Sequence, residues 1–185
     1  VQNIANMKDE IFHAMLFNIL NLMLADVARI GGESKERYEH GEPIWQVPKL
    51  LLIIDEAHRF INTKNQMVLD FMQRIISEGR KFFTSLFFAS QSIRDFAPEA
   101  KEGDPALDKL KRLFELVQYK FIMQQATNST QLLHSVFGDG LTEGQLAAIP
   151  QFRTGEAILL TGEQNLHMSV VATKKDLVER FKGGA

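Results

Sequence analysis

Asp55 and Glu56 follow directly on Leu50–Ile54, five apolar residues with no polar break. Two adjacent carboxylates in this position suit nucleoside triphosphate chemistry. The first would hold Mg²⁺, directly or through water, and the second would polarise the attacking water. An apolar run without alternation reads as a central strand of a parallel sheet, buried on both faces. Open α/β sheets place their ligand sites at the carboxyl ends of such strands. The pattern is that of a Walker B motif. The same pair would also serve as two solvated acids at a helix N-terminus, where the dipole favours them.

Other polar residues fall at comparable places. Gln91 ends a second apolar stretch, where its amide could hold a water, touch a γ-phosphate, or cap the following loop. Arg80 follows Glu78-Gly79 at the end of a helical pattern. That end lies opposite the strand's carboxyl end, so Arg80 is expected to miss its own chain's nucleotide. It could reach a neighbour's as an arginine finger, or answer the helix dipole; Lys81 competes for either role. Gln124 and Gln125 close a third apolar stretch, and Arg153 precedes Gly155. These three could line a crevice or be ordinary loop polar groups. His58 has no second His or Cys at ligand spacing, which disfavours a metal and leaves a supporting role. No G-x-x-x-x-G-K-[ST] pattern occurs in the 185 residues.

The elements that must position these groups alternate in period. Lys8 to Ile30 reads as one long helix, with Ile11, Met15, Ile19, Leu20, Met23 and Val27 among its apolar positions. Gly31-Gly32 is expected to stop it, and Glu33–Glu42 to form a loop. Lys49–Ile54 is a strand, Asn65–Glu78 a helix, and Phe82–Ala89 a second buried strand, which together make a βαβ unit. After the Pro98–Pro105 loop come a helix over Leu107–Leu116 and a third strand over Tyr119–Met123. Ser129 or Thr130 caps a helix through Val136, Gly138–Gly140 turns, and Thr142 caps another helix closed by Pro150. Glu156–Thr161 and Leu166–Thr173 read as a hairpin. Val1–Ala5 suits the tail of a strand or an extended loop, and Lys174–Lys182 a last amphipathic helix. The whole argues α/β with an added hairpin.

Composition sets the outer bounds. The chain has 185 residues, 45% hydrophobic and 24% charged, enough for one domain with a sizeable core. A net charge of −2 argues against a strongly basic nucleic-acid surface, though not against a local patch or a pore formed in an oligomer. Cys is absent, so there is no disulfide framework and no thiolate metal site. No stretch is apolar for long enough to span a bilayer. The first residue is Val1, not Met, and the chain is expected to be a piece of something longer.

Leu50–Phe60, then Ser77-Glu-Gly-Arg-Lys81, then Leu86-Phe-Phe-Ala-Ser-Gln-Ser92, and finally Phe152–Leu160 with its Gly-Glu-Ala, together resemble a known family. They look like the C-terminal ATPase domain of the VirB-type and TraC-like conjugation ATPases. These are the motor proteins of type IV secretion systems, within the HerA and FtsK group. The resemblance covers about Val1 to Val171. It implies a partial RecA-like P-loop NTPase fold, with a mainly parallel sheet flanked by helices, a C-terminal β-hairpin and the phosphate-loop half absent. Residues 1–185 would form a single domain, the back half of the ATPase domain. It further implies ATP with Mg²⁺ and a hexameric ring with sites between subunits. Asp55 and Glu56 would be Walker B, with Asp55 on the metal. Gln91 would be the sensor glutamine and Arg80 the trans arginine. Gln124 or Gln125 and Arg153 would be the later motif positions.

On this reading the intact protein hydrolyses ATP to drive assembly or substrate transfer with other secretion-system components. It would work in the cytoplasm at the inner face of the membrane, and the 185 residues alone would be inactive. The runner-up is a DNA translocase or helicase of the HerA and FtsK type, with duplex DNA as partner. A third reading is a non-catalytic interaction domain on the same scaffold.

Overall fold

The structure is a computed structural model that describes residues 9–98, 103–162 and 164–171. The expected extended segment at Val1–Ala5 and the helix at Lys174–Lys182 lie outside these residues. The chain divides into two compact units. One is drawn from residues up to Ala57 with Asp70–Ala89, the other from His58–Leu69 with the residues from Ser90 on.

In the first unit, β1 (Leu50–Ile54) and β2 (Thr84–Phe88) pair in parallel, with Leu50 opposite Thr84 and Ile54 opposite Phe88. The crossover between them contains α2 (Gln66–Gly79), whose Met72 and Ile75 are buried. This is the expected βαβ unit, although β2 starts later than the apolar run. Phe82 ends a turn of 3₁₀ helix over Arg80–Phe82, and Phe83 is left-handed at φ +50°. The expectation that β1 is buried on both faces is overturned. Leu52 is buried, but Leu51 and Ile53 are 58% and 66% exposed, and Phe87 beside them on β2 is 51% exposed. In a two-stranded sheet alternate side chains take opposite faces, and here only one face is covered.

The first helix also departs from expectation. α1 runs Asp9–Glu39, straight through Gly31-Gly32 and most of the expected loop. Gly31 is there for proximity. A Cβ on it would sit 2.4 Å from Cβ of Phe82 and 2.6 Å from that residue's carbonyl oxygen. Only a residue without a side chain lets the helix approach that turn so closely. Three residues on, the buried Ser34 donates its hydroxyl to the Pro48 carbonyl at 2.8 Å, so the helix is anchored beyond the glycines. Tyr38 meets Phe83 edge to face at 5.7 Å. Gly41, at φ +90°, supplies the left-handed residue that follows the helix. Arg37 pairs with Glu42 across this end, its Nε 2.6 Å from Glu42 Oε2.

The second unit has its own sheet. β3 (Lys120–Ile122) pairs antiparallel with β4 (Glu156–Leu160), which pairs antiparallel with β5 (Asn165–Ser169). The expected hairpin is β4–β5. The third apolar stretch, however, joins this sheet rather than extending β1–β2. Among the described residues, then, the sheets are one parallel pair and one antiparallel triplet. Gly155 leads into β4 at φ +88°, and a Cβ there would lie 2.7 Å from the Val170 carbonyl oxygen. That close crossing joins the ends of the hairpin, and Val170 donates its N–H to the Gly155 carbonyl at 2.8 Å.

Around the triplet stand α3 (Ile93–Phe96), α4 (Pro105–Leu116), α5 (Thr130–Phe137) and α6 (Glu143–Ala148). Local chemistry sets their starts. The side chains of Ser92 and Asp104 accept from Arg94 and Ala106 N–H, and Thr142 forms a reciprocal capping box with Gln145. The expected cap on α5 is not made. A 3₁₀ turn over Thr127–Ser129 already precedes the helix, and the fully buried Ser129 hydroxyl has no hydrogen-bond partner among the described residues. Phe96, Phe114 and Phe137 stack edge to face in sequence, each pair of centroids 5.4 Å apart. Leu110, Leu113, Leu133, Ile149 and Ile158 fill the core around them.

Candidate functional site

Asp55 and Glu56 form a two-residue excursion at the carboxyl end of β1. The ladder with β2 breaks around them and resumes on one residue. Ala89 donates its N–H to the Ile54 carbonyl at 3.0 Å and accepts the Ala57 N–H at 2.8 Å. Ala57 is fully buried, so the excursion is fixed at both ends; within it Asp55 is exposed and Glu56 half-buried. Within it, the Glu56 N–H donates to Asp55 Oδ1 at 2.9 Å. Glu56 adopts φ +50°, a left-handed conformation that costs a non-glycine residue roughly 1 kcal/mol or more. A glutamate held in a strained turn is positioned by its surroundings rather than by its own preference.

Asp55 is exposed, and among the described residues its Oδ2 has no partner. An exposed carboxylate beside a second one is the oxygen donor set that a hard cation such as Mg²⁺ takes together with waters and phosphate oxygens. No group of three or more metal-ligating side chains gathers among the described residues. Arg80 is exposed at the amino end of β2. It is thus separated from Asp55 and Glu56 by the length of the strand pair, roughly 15 Å. Its guanidinium makes no ion pair among the described residues.

In the second unit, Gln91 is exposed on the loop before α3. Gln125 holds that loop from the end of β3: its Nε2 donates to the Gln91 carbonyl at 3.2 Å and its Oε1 accepts the Ile93 N–H at 3.0 Å. Gln124, its neighbour, donates instead to the Pro150 carbonyl at 3.2 Å. Arg153 lies just beyond Pro150, its backbone N–H on Glu156 Oε2 at 2.8 Å and its side chain exposed. Nδ1 of His58 lies 2.9 Å from Ser90 Oγ, which gives the histidine a loop-holding contact. The sequence therefore identified loops that the structure ties together. It did not identify the ties themselves, since Gln125 and Gln91 are 34 residues apart.

No family model matches this chain. An uncharacterised protein of Bacillus anthracis is 29% identical over all 185 residues, which span 29% of its length. The structure of VirB4 from Thermoanaerobacter pseudethanolicus superposes with a TM-score of 0.70 at 19% identity, over 96% of this chain and 41% of that one. The cytoplasmic domain of the type VII secretion ATPase EccC from Thermomonospora curvata gives 0.59 at 17% identity, over 88% of this chain and 18% of that one. The chain thus spans less than half the length of each of these proteins. Asp55-Glu56, Arg80 and Gln91 stand in a mixed α/β fold that this chain shares with VirB4 and with the EccC secretion ATPase.

Proposed function

We propose that the chain is part of an ATP-hydrolysing motor of a secretion system, acting within a longer protein. The observation that carries this reading is the Asp55-Glu56 excursion, pinned through Ala89 at the carboxyl end of a parallel strand, in a fold shared with VirB4 and EccC. Asp55 would hold a Mg²⁺ ion, which when bound would neutralise charge on the phosphates. Glu56 orients the attacking water and accepts its proton as the oxygen–phosphorus bond forms and ADP leaves. Gln91 senses the γ-phosphate, and Arg80 of one subunit completes the site of the next in a hexameric ring. Arg153 and Gln124 belong to the later motif positions. Gln125 contributes by holding the Gln91 loop.

The motor works with other secretion components at the cytoplasmic face of a membrane. No helix of the described residues is long and apolar enough to cross one. The 185 residues hold no phosphate-loop pattern, so the chain alone is inactive.

The test is ATP hydrolysis by the longer natural protein with and without Glu56→Gln. Turnover should fall by on the order of 10²-fold or more while ATP binding persists. Unchanged turnover would remove Glu56 from the chemistry. Absence of both binding and turnover in the unaltered protein would leave an interaction domain.

A further inference from the structure

A cavity of about 360 Å³ opens in the second unit, between α4, the end of α5 and the β3–β4–β5 sheet. That is room for about a dozen waters, at the small end of ligand-pocket sizes. None of Gln91, Gln124, Gln125 and Arg153 lines it. Its wall is mixed: Phe114, Val136, Phe137 and Leu160 supply an apolar side, and Thr161 and Asn165 add polar groups. Into it face the half-buried Lys120, Lys111 and Ser135, while Glu115 and Asp139 stand exposed at the margin.

Lys120 is the unusual member. It sits at the start of β3, and among the described residues its ammonium has neither a hydrogen bond nor an ion pair. Burial lowers its pKa below the ordinary lysine value, and the charge of Glu115 only partly opposes this. Ser135 Oγ likewise has no hydrogen-bond partner among the described residues. Lys111 is engaged only loosely, 3.9 Å from Asp108. Even a partly desolvated cation is stabilised when an anion meets it. The apolar side adds a second demand. A bare inorganic anion would gain nothing from Phe114 and Phe137, whereas an anion carrying a hydrocarbon body would bury that body against them.

We propose that this cavity binds a small organic carboxylate, its anionic end on Lys120 and Lys111 and its apolar body against Phe114 and Phe137. The proposal is independent of ATP chemistry at Asp55-Glu56.

The test is amide NMR on the 185-residue chain titrated with benzoate and, separately, with its neutral analogue benzamide. Benzoate should give saturable shifts at Lys120 and Gly138–Gly140. The affinity should be weaker by about tenfold or more for benzamide, and for benzoate on Lys120→Met, since a charge-assisted hydrogen bond is lost in each. Lys35→Met, on the exposed side of α1, should leave benzoate binding unchanged. Absence of saturable benzoate shifts, equal binding of benzamide, or undiminished binding by Lys120→Met would each overturn the proposal. If Lys120→Met does not fold, the benzoate and benzamide comparison on the unaltered chain decides alone.

Discussion

The side-chain amide of Gln125 donates to the backbone carbonyl of Gln91 at 3.2 Å. Through its other atom it accepts the N–H of Ile93 at 3.0 Å. One side chain therefore satisfies two backbone groups of the loop that presents Gln91. Gln125→Ala should leave both unpaired and cost about 1–3 kcal/mol in urea unfolding. Gln125→Glu keeps the acceptor but sets a carboxylate oxygen against the Gln91 and Gln124 carbonyls, and should cost at least as much. Unaltered stability in the alanine variant would mean that water replaces the strut at no cost.

Glu56 is held at φ +50°. Glu56→Gly should therefore be more stable than Glu56→Ala by roughly 1 kcal/mol, because both lose the side chain and only glycine adopts this conformation without strain. The pair of variants separates strain from loss of the side chain. In the longer protein both should lose hydrolysis, and the glycine variant should have the higher unfolding midpoint of the two.

Gly31 and Gly32 are neighbours in α1 with opposite predicted responses. A Cβ on Gly31 would clash with Phe82, whereas one on Gly32 meets nothing within 4 Å. Gly31→Ala should destabilise by about 1–3 kcal/mol through overpacking. Gly32→Ala should stabilise by up to about 1 kcal/mol through helix propensity. If both variants behave as Gly32→Ala does, α1 does not approach the Arg80–Phe82 turn as closely as described.

Lys120 carries a folded pKa below its ordinary value because burial disfavours the charge. The unfolded chain then binds more protons between the folded pKa and the ordinary lysine value. Stability should rise as pH climbs through that window, and the penalty is in full force below it. Lys120→Met should therefore unfold at higher urea than the unaltered chain at pH 7. The difference should shrink as the pH climbs toward and past the ordinary lysine value, as followed by urea midpoints across alkaline pH.

Leu51, Ile53 and Phe87 form an adjacent exposed apolar set on one face of the β1–β2 pair. Such a set favours association. The 185-residue chain should self-associate in a light-scattering dilution series. Ile53→Thr with Phe87→Thr should shift it toward monomer while keeping β-branching or a strand-compatible side chain at both positions. Identical scattering from the two forms would place the association elsewhere.

Features that depend on a few consecutive residues were legible before any tertiary contact was known. Apolar runs marked β1 and β2, and their joining through a helix of crossover length required parallel pairing. The carboxylates after Ile54 lay at the strand's carboxyl end by chain order alone. Thr142 announced its helix because a cap acts within one turn. Tertiary structure decided the rest. A glycine pair ends a helix only if nothing beyond it is worth reaching, and Gly31 stays helical because Phe82 packs against it. The strand at Lys120–Ile122 could have joined either sheet, since edge pairing depends on partners far along the chain; it chose Glu156–Leu160. Whether Leu51 and Ile53 are covered depends on what packs on that face, which an unbroken apolar run cannot encode. Gln125 looked like a crevice residue or a loop polar group. It became a strut because folding brought the carbonyl of Gln91 within reach of its amide.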